Sequence, residues 1–427
     1  MKPAVEVLLI EVAMPIDKLT PLLDKKLHEL AASGRLKGDE TVTVSMVEPA
    51  DGKGPRYLIE GHGKRPFLRM NSNSYLGLSF ATRVLEAEEE AVRRYGAGPG
   101  AVRFISGTWA PHVKLEKRLA DFHGRDAAML FSSAYATVMG VLPQLITDST
   151  LVLSDALNHN SIINAIALSR PAEKRVYDHL DYSEIMRQLG AFTKKCKRAV
   201  IVSDGVFSMR GDHARLDELM RLAKLFHPLY AEGVIVVADD SHGVGAFGKT
   251  GRGTEEVCGG AHVDVLIGTL GKAFGVNGGY VTAASSIIDY LRETSPFYIY
   301  SNPITPGEAE AARVAVDRVD SAEGEGLLAH LSAMGVRFRN GLATLGLETI
   351  PGEHPVVPLM VRDTERTKQL VAHLRDSGIL ATGLAYPVVP KGEDEIRFQI
   401  SADHTGDDID EAIAALAAFA EARAATA

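Results

Sequence analysis

The sequence predicts an α/β protein with a mainly parallel sheet that is covered by helices on both faces. Short apolar runs of strand length recur between residues 128 and 267, and segments with helical periodicity such as Ala214–Phe226 lie between them. Strands that alternate with helices are typical of parallel sheets, which are buried on both faces and therefore read as continuous apolar runs. The predicted strands are Ala128–Phe131, Leu151–Leu153, Ala199–Ser203, Val234–Ala238 and Val263–Ile267.

The pattern divides the chain into three regions. Residues 1–70 combine an apolar run, a predicted helix over Ile16–Ala32 and a stretch rich in glycine and proline, which indicates an N-terminal arm with a small β element. Residues 71–310 contain the alternating pattern and are expected to form the large domain. Residues 311–427 are expected to form a smaller C-terminal α/β domain. The elements predicted around and beyond this boundary are helices over Glu308–Val319, from Gly326 to about Ala343, Glu365–Ser377 and Asp407–Ala424, with strands near Val356–Val361 and Ile396–Ile400.

Composition and charge exclude several classes of protein. The chain has 427 residues, of which 46% are hydrophobic and 24% charged, and its net charge of −9 argues against nucleic acid as the main partner. No stretch is long and apolar enough to span a bilayer. The apolar run from Val5 is interrupted by Glu6 and Glu11 and has no small-residue cleavage site, so it does not read as a signal peptide. We therefore expect a soluble cytoplasmic protein with neither a membrane nor a nucleic acid as partner.

One motif is misleading when it is taken alone. Gly243–Thr250 reads GVGAFGKT and matches the pattern of a P-loop at every required position. A P-loop must be followed at once by a helix whose N-terminus points at the phosphates. Here the next ten residues, 251–260, contain four glycines and cannot sustain that helix. We interpret the segment as a glycine-rich turn beside an active site, and a P-loop nucleotide-binding protein remains only an alternative.

An acid and a lysine follow two of the predicted strands. Asp239 ends an apolar strand and His242 follows it, at the edge of the sheet where ligands of α/β proteins bind. Taken alone, Asp239 could also cap a helix, bind a metal or act as a base. Lys272 lies just past the next strand between small residues that leave room for a ligand, and a desolvated lysine becomes a nucleophile. An acid for a pyridine nitrogen and a lysine for an aldehyde are the usual pair for pyridoxal 5′-phosphate (PLP).

Several further motifs in the same order resemble the α-oxoamine synthase family, which are PLP-dependent acyltransferases of fold type I. The resemblance covers roughly residues 70–420 and is closest to the glycine C-acetyltransferase branch of the family. It implies a large domain with a mainly parallel sheet and a small C-terminal α/β domain. The segments that carry it are Asn71–Leu78, Arg103–Thr108, Ser154–His159, Ser203–Met209, Asp239–Gly243, Gly268–Gly275, Tyr386–Gly392 and the pair His404-Thr405.

The resemblance implies a role for each residue of a cofactor site. Lys272 corresponds to the Schiff-base lysine, which also serves as the base at Cα of the substrate. Asp239 corresponds to the carboxylate on the pyridine nitrogen, and His159 to the histidine stacked on the ring. His242 and Ser208 correspond to groups near the ring hydroxyl and the imine. No metal is expected.

The phosphate of the cofactor is expected where the strand Ala128–Phe131 turns into a helix, because free amides at a helix N-terminus favour an anion. The residues that match the family's phosphate site are Ser133, Ala134, Tyr135 and Thr269. Ser301 and Asn302 match a segment that reaches the phosphate of the neighbouring subunit. The resemblance therefore implies a homodimer with shared active sites.

The substrates are expected to be a small amino acid and an acyl-CoA. Arg397 matches the arginine that binds the substrate carboxylate, and Asn73 matches an asparagine close to it. Val102 falls where glycine-using relatives have a β-branched residue, which favours glycine over alanine. The resemblance through Tyr386–Gly392 favours a short donor, acetyl-CoA first, and a β-keto amino acid or its decarboxylated aminoketone as the product.

Two departures leave other substrates open. Ser74 stands where the family usually has asparagine or aspartate, and Val138 aligns with a usual asparagine, both near the pocket. A related synthase that uses alanine or serine with a longer acyl-CoA is therefore one alternative. A PLP aminotransferase, which would share Lys272 and Asp239 and use no CoA, is another.

Overall fold

The computed structural model describes residues 14–33, 35, 36, 38–386 and 388–424. Positions 5–13 of the apolar run that begins at Val5 lie outside the described residues. The same is true of Pro387, within the segment Tyr386–Gly392. Among the described residues, none of the helices has both the length and the apolar character needed to cross a bilayer.

A seven-stranded sheet forms the centre of the molecule, in the order β4-β10-β9-β8-β7-β5-β6. Strands β5 to β9 pair in parallel, and only β10 is antiparallel to its two neighbours. The sheet is thus mostly parallel, and the fold is that of the fold type I PLP-dependent transferases, as predicted. Its strands are β4 (Ala127–Phe131), β5 (Thr150–Asp155), β6 (Glu173–Tyr177), β7 (Arg198–Asp204), β8 (Val234–Asp239), β9 (Val265–Thr269) and β10 (Gly279–Ala283).

Helices cover both faces of this sheet and bury apolar side chains against it. Helix α4 packs on strands β4, β9 and β10, and helix α7 packs on β8. The α-helices up to residue 319 are α1 (Thr20–Ala32), α2 (Thr82–Tyr95), α3 (Ala110–His123), α4 (Ala134–Leu145), α5 (Asn160–Ser169), α6 (Tyr182–Phe192), α7 (Leu216–Phe226), α8 (Thr254–Val257), α9 (Ser285–Thr294), α10 (Pro296–Ile299) and α11 (Pro306–Val319).

The C-terminal part contains a second, antiparallel sheet in the order β11-β14-β13. Its helices are α12 (Ala322–Thr344), α13 (Thr364–Asp376) and α14 (Gly406–Ala424). Its strands are β11 (Val356–Met360), β13 (Thr382–Leu384) and β14 (Glu395–Gln399).

The N-terminal β element does not stand alone. Its strands β1 (Thr43–Val47), β2 (Arg56–Ile59) and β3 (Pro66–Arg69) form a sheet with the two-residue strand β12 (Ile379–Leu380), which pairs with β3 in parallel. The N-terminal element and the C-terminal part therefore share one sheet. The divisions near residues 70 and 310 stay predictions.

Each of the five strands predicted between residues 128 and 267 is confirmed, with boundaries that differ by up to two residues. Strand β6 escaped prediction because its sequence EKRVY is charged and only its last residue is buried. Strand β10 was not predicted for two reasons. It begins at a glycine, Gly279, and as an antiparallel strand it falls outside the alternation of parallel strands and helices.

A buried ion pair connects the elements that surround β4, the first strand of the central sheet. Glu116 on α3 accepts two hydrogen bonds from the guanidinium of Arg103, at 3.0 and 3.1 Å, and one from the backbone amide of Leu130 on β4, at 3.1 Å. Arg292 adds a third guanidinium contact at 3.0 Å. The carboxylate of Glu116 thereby joins the Arg103–Gly107 turn, α3, α9 and the first strand of the sheet.

We expect Glu116→Gln to destabilise the fold by about 3–5 kcal/mol, because two guanidinium groups lose the charge that compensates them in a buried place. The melting temperature from thermal denaturation measures the effect. Asp121→Asn on the same helix is the matched control, since its partner Lys117 is exposed and such pairs contribute only about 0–1 kcal/mol. Equal melting temperatures for the two variants would contradict the importance of the buried pair.

Candidate active site

Residues at or after the ends of five strands of the central sheet, β4, β5, β7, β8 and β9, line one cavity, which we call the Lys272 cavity. The cavity is small and polar groups converge in it, as they do in small-molecule sites. It opens at the carboxyl ends of the strands, where α/β sheets bind their ligands. Its lining residues are Ala134, Tyr135, His159, Ser161, Asp204, Val206, Ser208, Asp239, Ser241, His242 and Lys272.

Lys272 lies in the loop that joins β9 to β10. The loop is held by hydrogen bonds from the Leu270 amide to the Gly278 carbonyl, at 2.9 Å, and from the Gly275 amide to the Lys272 carbonyl, at 3.0 Å. The hydroxyl of Thr269 donates to the Gly278 carbonyl and accepts from the Gly271 amide, both at 3.2 Å. Burial lowers the pKa of Lys272 to about 8, although the charge of Asp239 opposes the shift. The unprotonated amine, which a nucleophile requires, is therefore far more populated near neutral pH than in an ordinary lysine, although it remains the minor form there.

Two acids lie side by side at the ends of β7 and β8, where Asp204 and Asp239 are register partners. The Asp239 carboxylate accepts hydrogen bonds from the amide and the hydroxyl of Ser241, at 3.2 and 2.6 Å. Burial and the neighbouring charge of Asp239 raise the pKa of Asp204 well above its usual range. The pair can therefore present one negative charge to a positively charged ligand atom in the cavity.

His159 caps the N-terminus of α5. Its Nδ1 atom lies 2.7 Å from the Ser161 hydroxyl and 3.2 Å from the Ser161 amide, which together set the orientation of the ring. Burial lowers the pKa of His159, so the imidazole is neutral at pH 7. Its ring can pack flat against a planar ligand without adding a second positive charge beside Lys272.

A chain of aromatic groups supports His242. The Tyr75 hydroxyl lies 2.7 Å from Nδ1 of His242, and Nε2 of His354 lies 2.9 Å from the His242 carbonyl oxygen. Burial lowers the pKa of His242 well below its usual range, and the charge of Lys272 acts in the same direction. These contacts hold the neutral ring in place and leave its Nε2 atom available for a hydrogen bond to a ligand.

The N-terminus of α4 forms one end of the cavity. Ser133 caps the helix by accepting the Ala136 amide at 3.1 Å, and the first amides, of Ala134 and Tyr135, have no acceptor within the helix. Gly279 on β10 passes so close that a Cβ there would lie 2.4 Å from the Ala134 nitrogen, which explains the need for glycine. A terminus of this kind can bind a phosphate.

Arg397 on β14 contacts the loop that carries Ser208, although it does not itself line the Lys272 cavity. Its Nη1 atom donates to the Ser208 carbonyl at 3.1 Å and contacts the Met209 sulfur at 3.7 Å. Its Nε atom is buried and has no hydrogen-bond partner among the described residues. Asn73, predicted beside it, accepts a hydrogen bond from the Gln399 amide group. A guanidinium with an unused donor beside the cavity is suited to a carboxylate ligand.

The structure brings seven of the residues named from the sequence together in one cavity, and their roles there stay predictions: Lys272, Asp239, His159, His242, Ser208, Ala134 and Tyr135. Ser133 and Thr269 lie in the turns that form it, although neither lines it. Val102, Ser301 and Asn302 do not line the cavity of their own chain, and their predicted roles stay predictions.

Sequence reasoning missed six residues that build the site. Asp204 could have been found by the rule that revealed Asp239, because it ends the neighbouring strand. Three of the other five lie in segments that carry the family resemblance, at positions to which no role was given, and no sequence signal points to Ser161 or His354. The five are Tyr75, Ser161, Val206, Ser241 and His354.

The P-loop-like segment is confirmed as a turn. It is followed only by the four-residue helix α8. The carboxylate of Glu256 accepts the Thr250 amide at 3.0 Å and the Arg252 amide at 3.2 Å, and so fills the place that a phosphate would need. A larger cleft beside this turn, with about 1410 Å³ of empty space, lacks the cluster of perturbed groups that marks the Lys272 cavity.

A charged bridge outside the cavity fixes the loop that carries Ser208. The ring of His179 lies between two carboxylates, with Nδ1 at 3.0 Å from Asp155 and Nε2 at 3.3 Å from Asp212. Burial opposes the charged ring, but the hydrogen bonds to both carboxylates outweigh it and raise the pKa of His179 to about 9. Phe207 packs edge-on against the ring, with centroids 4.4 Å apart.

We expect the contribution of His179 to stability to depend on pH. Its folded-state pKa lies above the usual value of about 6.5, so the stabilisation is complete below pH 6.5 and is lost as pH rises through about 9. His179→Gln should cost on the order of 2 kcal/mol at pH 6 and much less at pH 10. Thermal denaturation at both pH values measures it, with His28→Gln on the exposed face of α1 as control. A loss of stability in His179→Gln that is as large at pH 10 as at pH 6 would contradict the charged bridge.

Comparison with known proteins identifies the family. Residues 65–416 match the aminotransferase class I and II family. The 8-amino-7-oxononanoate synthase of Geobacter metallireducens is 39% identical over 371 residues, which cover 87% of this chain and 92% of that protein. The mitochondrial 2-amino-3-ketobutyrate coenzyme A ligase of Bos taurus is 34% identical over 400 residues, which cover 93% and 91%. The solved serine palmitoyltransferase of Sphingomonas wittichii shares the fold, with a TM-score of 0.84 at 24% identity over 96% of this chain and 99% of that one.

Fold and site together define a PLP-dependent transferase of fold type I. More narrowly, the chain belongs to the α-oxoamine synthase family, as its motifs predicted. Its cofactor is PLP, and the cavity fits this group. A helix N-terminus at one end suits the phosphate, Asp239 suits a pyridinium nitrogen, and a desolvated Lys272 suits the aldehyde.

Proposed function

We propose that this enzyme condenses a small amino acid, glycine first, with a short acyl-CoA, acetyl-CoA first. The product is a β-keto amino acid or the aminoketone left after it loses carbon dioxide. The observation that carries the proposal is the guanidinium of Arg397, which contacts Ser208 at the cavity and has an unused buried Nε donor. An arginine in this place can anchor the carboxylate of an amino acid beside Lys272.

Different residues in and around the Lys272 cavity are assigned to different parts of the cofactor. We assign the phosphate to the turn of Ser133, Ala134 and Tyr135, with Thr269 supporting the loop opposite. We assign the pyridine nitrogen to Asp239, which keeps it protonated. When it is bound, PLP withdraws electrons from Cα of the amino acid and so makes a proton there acidic.

Lys272 is assigned the central proton transfer. Its pKa of about 8 lies close to neutral pH, where a general acid–base group works best. Once the amino acid has displaced it, its free amine can take the proton from Cα and later return it. His159 and His242, both neutral because of burial, orient the reacting groups without competing for that proton.

The choice of glycine rests on bulk near Cα. We assign this role to Val102, a β-branched residue at the start of the Arg103–Gly107 turn, together with Asn73 near the carboxylate. Neither Val102 nor Ser301 and Asn302 line the cavity of their own chain, so the assignment includes a homodimer in which these segments complete the partner's site.

Other substrates follow from the relatives. The chain is 39% identical to an 8-amino-7-oxononanoate synthase and 34% identical to a 2-amino-3-ketobutyrate coenzyme A ligase, so identity alone does not choose between them. A longer acyl-CoA with alanine or serine is therefore the second candidate, to which Ser74 and Val138 point. An aminotransferase, which releases no thiol, is the third, and the match to the aminotransferase class I and II family motivates it.

The substrate pair is tested by the release of free CoA thiol over a matrix of amino acids and acyl-CoA chain lengths. We expect kcat/KM to be highest for glycine with acetyl-CoA, and alanine to be about 10–200-fold poorer, the usual effect of one methyl group in a pocket. Val102→Ala should narrow this difference. A kcat/KM for alanine or serine equal to that for glycine would overturn the choice, and turnover of an amino-acid and keto-acid pair without thiol release would make the enzyme an aminotransferase.

The lysine assignment is tested with Lys272→Ala. We expect kcat to fall by a factor of about 10²–10⁴ or more, because the variant loses its general base. Borohydride should attach the cofactor covalently to the wild-type chain, at a peptide that contains Lys272, and should leave the variant unlabelled. Lys249→Ala, an exposed lysine in the P-loop-like turn, is the control. Labelling of a different lysine in wild-type protein would refute the assignment.

A further inference from the structure

Strand β14 separates its apolar and polar side chains onto opposite faces. Ile396 and Phe398 point into the hydrophobic core and are fully buried. Glu395, Arg397 and Gln399 alternate with them and therefore share the other face. The arginine to which we assign the substrate carboxylate thus has a carboxyl group two residues before it on the same face.

This carboxyl group is buried without a partner. Glu395 is only 2% exposed, and its Oε1 atom has no hydrogen-bond partner among the described residues. Buried charged groups are normally paired, so an unpaired carboxyl group beside a binding arginine calls for an explanation.

The charges around Glu395 come from a few groups. Arg397 and Arg210 attract a negative charge on it, and Glu393 and Asp212 repel one. Arg210 is already engaged, since its Nε donates to Asp212 at 2.9 Å. The residues opposite Glu395 on the neighbouring strands, Met360 and Leu384, carry no charge. Arg397 is therefore the cation most directly available to Glu395.

We propose that Glu395 is a positioning residue that sets amino-acid affinity by controlling how much of the positive charge of Arg397 is available to the substrate carboxylate. The proposal deepens the proposed function and rests on Arg397 as the carboxylate anchor. Protonated Glu395 leaves Arg397 free to bind the substrate. Ionised Glu395 competes with the substrate for the same guanidinium.

The surroundings of Glu395 set the pH range over which its carboxyl group ionises. Burial raises the pKa of Glu395 to about 8, although Arg397 and Arg210 oppose the shift. Glu395 is therefore mostly neutral at pH 7 and mostly ionised at pH 9. A substrate carboxylate beside it disfavours the ionised form, so amino-acid binding above pH 8 is accompanied by proton uptake at Glu395.

The test compares KM for glycine in the wild-type holoenzyme and in Glu395→Gln from pH 6.5 to 9.5, by thiol release. Ionisation of the substrate amine affects both proteins equally and cancels in the ratio of the two KM values. We expect that ratio, wild type over variant, to be near one at pH 7 and to approach about tenfold at pH 9, while kcat changes little. Parallel profiles would overturn the proposal.

Two further variants keep the result interpretable. Glu395→Met has a side chain of similar length without a charge. It should abolish the alkaline rise of KM as Glu395→Gln does, so that either variant can carry the test if the other folds poorly. Glu393→Gln changes an exposed neighbouring carboxylate and should keep the rise. Loss of the rise in Glu393→Gln alone would assign the effect to that residue instead.

Failure of this inference is separable from failure of the proposed function. If no amino acid releases thiol from any acyl-CoA, the proposed reaction is wrong. If thiol release occurs and the pH profiles are parallel, only the role of Glu395 is wrong. The shift of the cofactor absorbance on adding glycine measures binding directly and does not depend on turnover.

Discussion

The convergence of parallel strand ends at one edge of the sheet is the constraint on which the rest of the structure depends. It gathers His159, Asp204, Asp239 and Lys272 within one buried cavity, although they are spread over more than a hundred residues of sequence. Charged groups brought together in a low-dielectric environment must compensate each other or shift towards their neutral forms. The lowered pKa values of Lys272 and the histidines, and the raised pKa of Asp204, are direct consequences.

How much the sequence could reveal follows from the same constraint. Apolar runs of strand length identify β4, β5, β7, β8 and β9, and a polar residue just after such a run identifies Asp239 and Lys272. The rule fails for strands that are not apolar throughout, as with β6, and for β10, which opposes the direction of its neighbours. Pairing of the N-terminal β element with β12 could not be predicted, because a two-residue strand carries no pattern.

The supporting residues of the site were beyond reach for a different reason. Tyr75 and His354 act through hydrogen bonds to His242 across 167 and 112 residues of sequence, and no local pattern indicates that contact. The P-loop-like turn illustrates the opposite case, where a complete local pattern occurs without the long helix that a P-loop requires. There Glu256 satisfies the amides that a phosphate would otherwise need. Local pattern is informative only where the surrounding elements also agree.

Substrate recognition differs from cofactor binding in how it is built. The proposed cofactor residues lie on loops of the central sheet, whereas Arg397 comes from a separate antiparallel sheet and contacts the site through Ser208 and Met209. Ser208 in turn lies on the loop that the charged bridge of His179 holds. Ser208 both lines the Lys272 cavity and accepts the hydrogen bond of Arg397, so a change that loosens this bridge acts on the amino-acid carboxylate and on the cofactor together. Because Glu395 and Arg397 do not themselves line the Lys272 cavity, affinity for the amino acid can be adjusted from β14 without replacing a residue that surrounds Lys272.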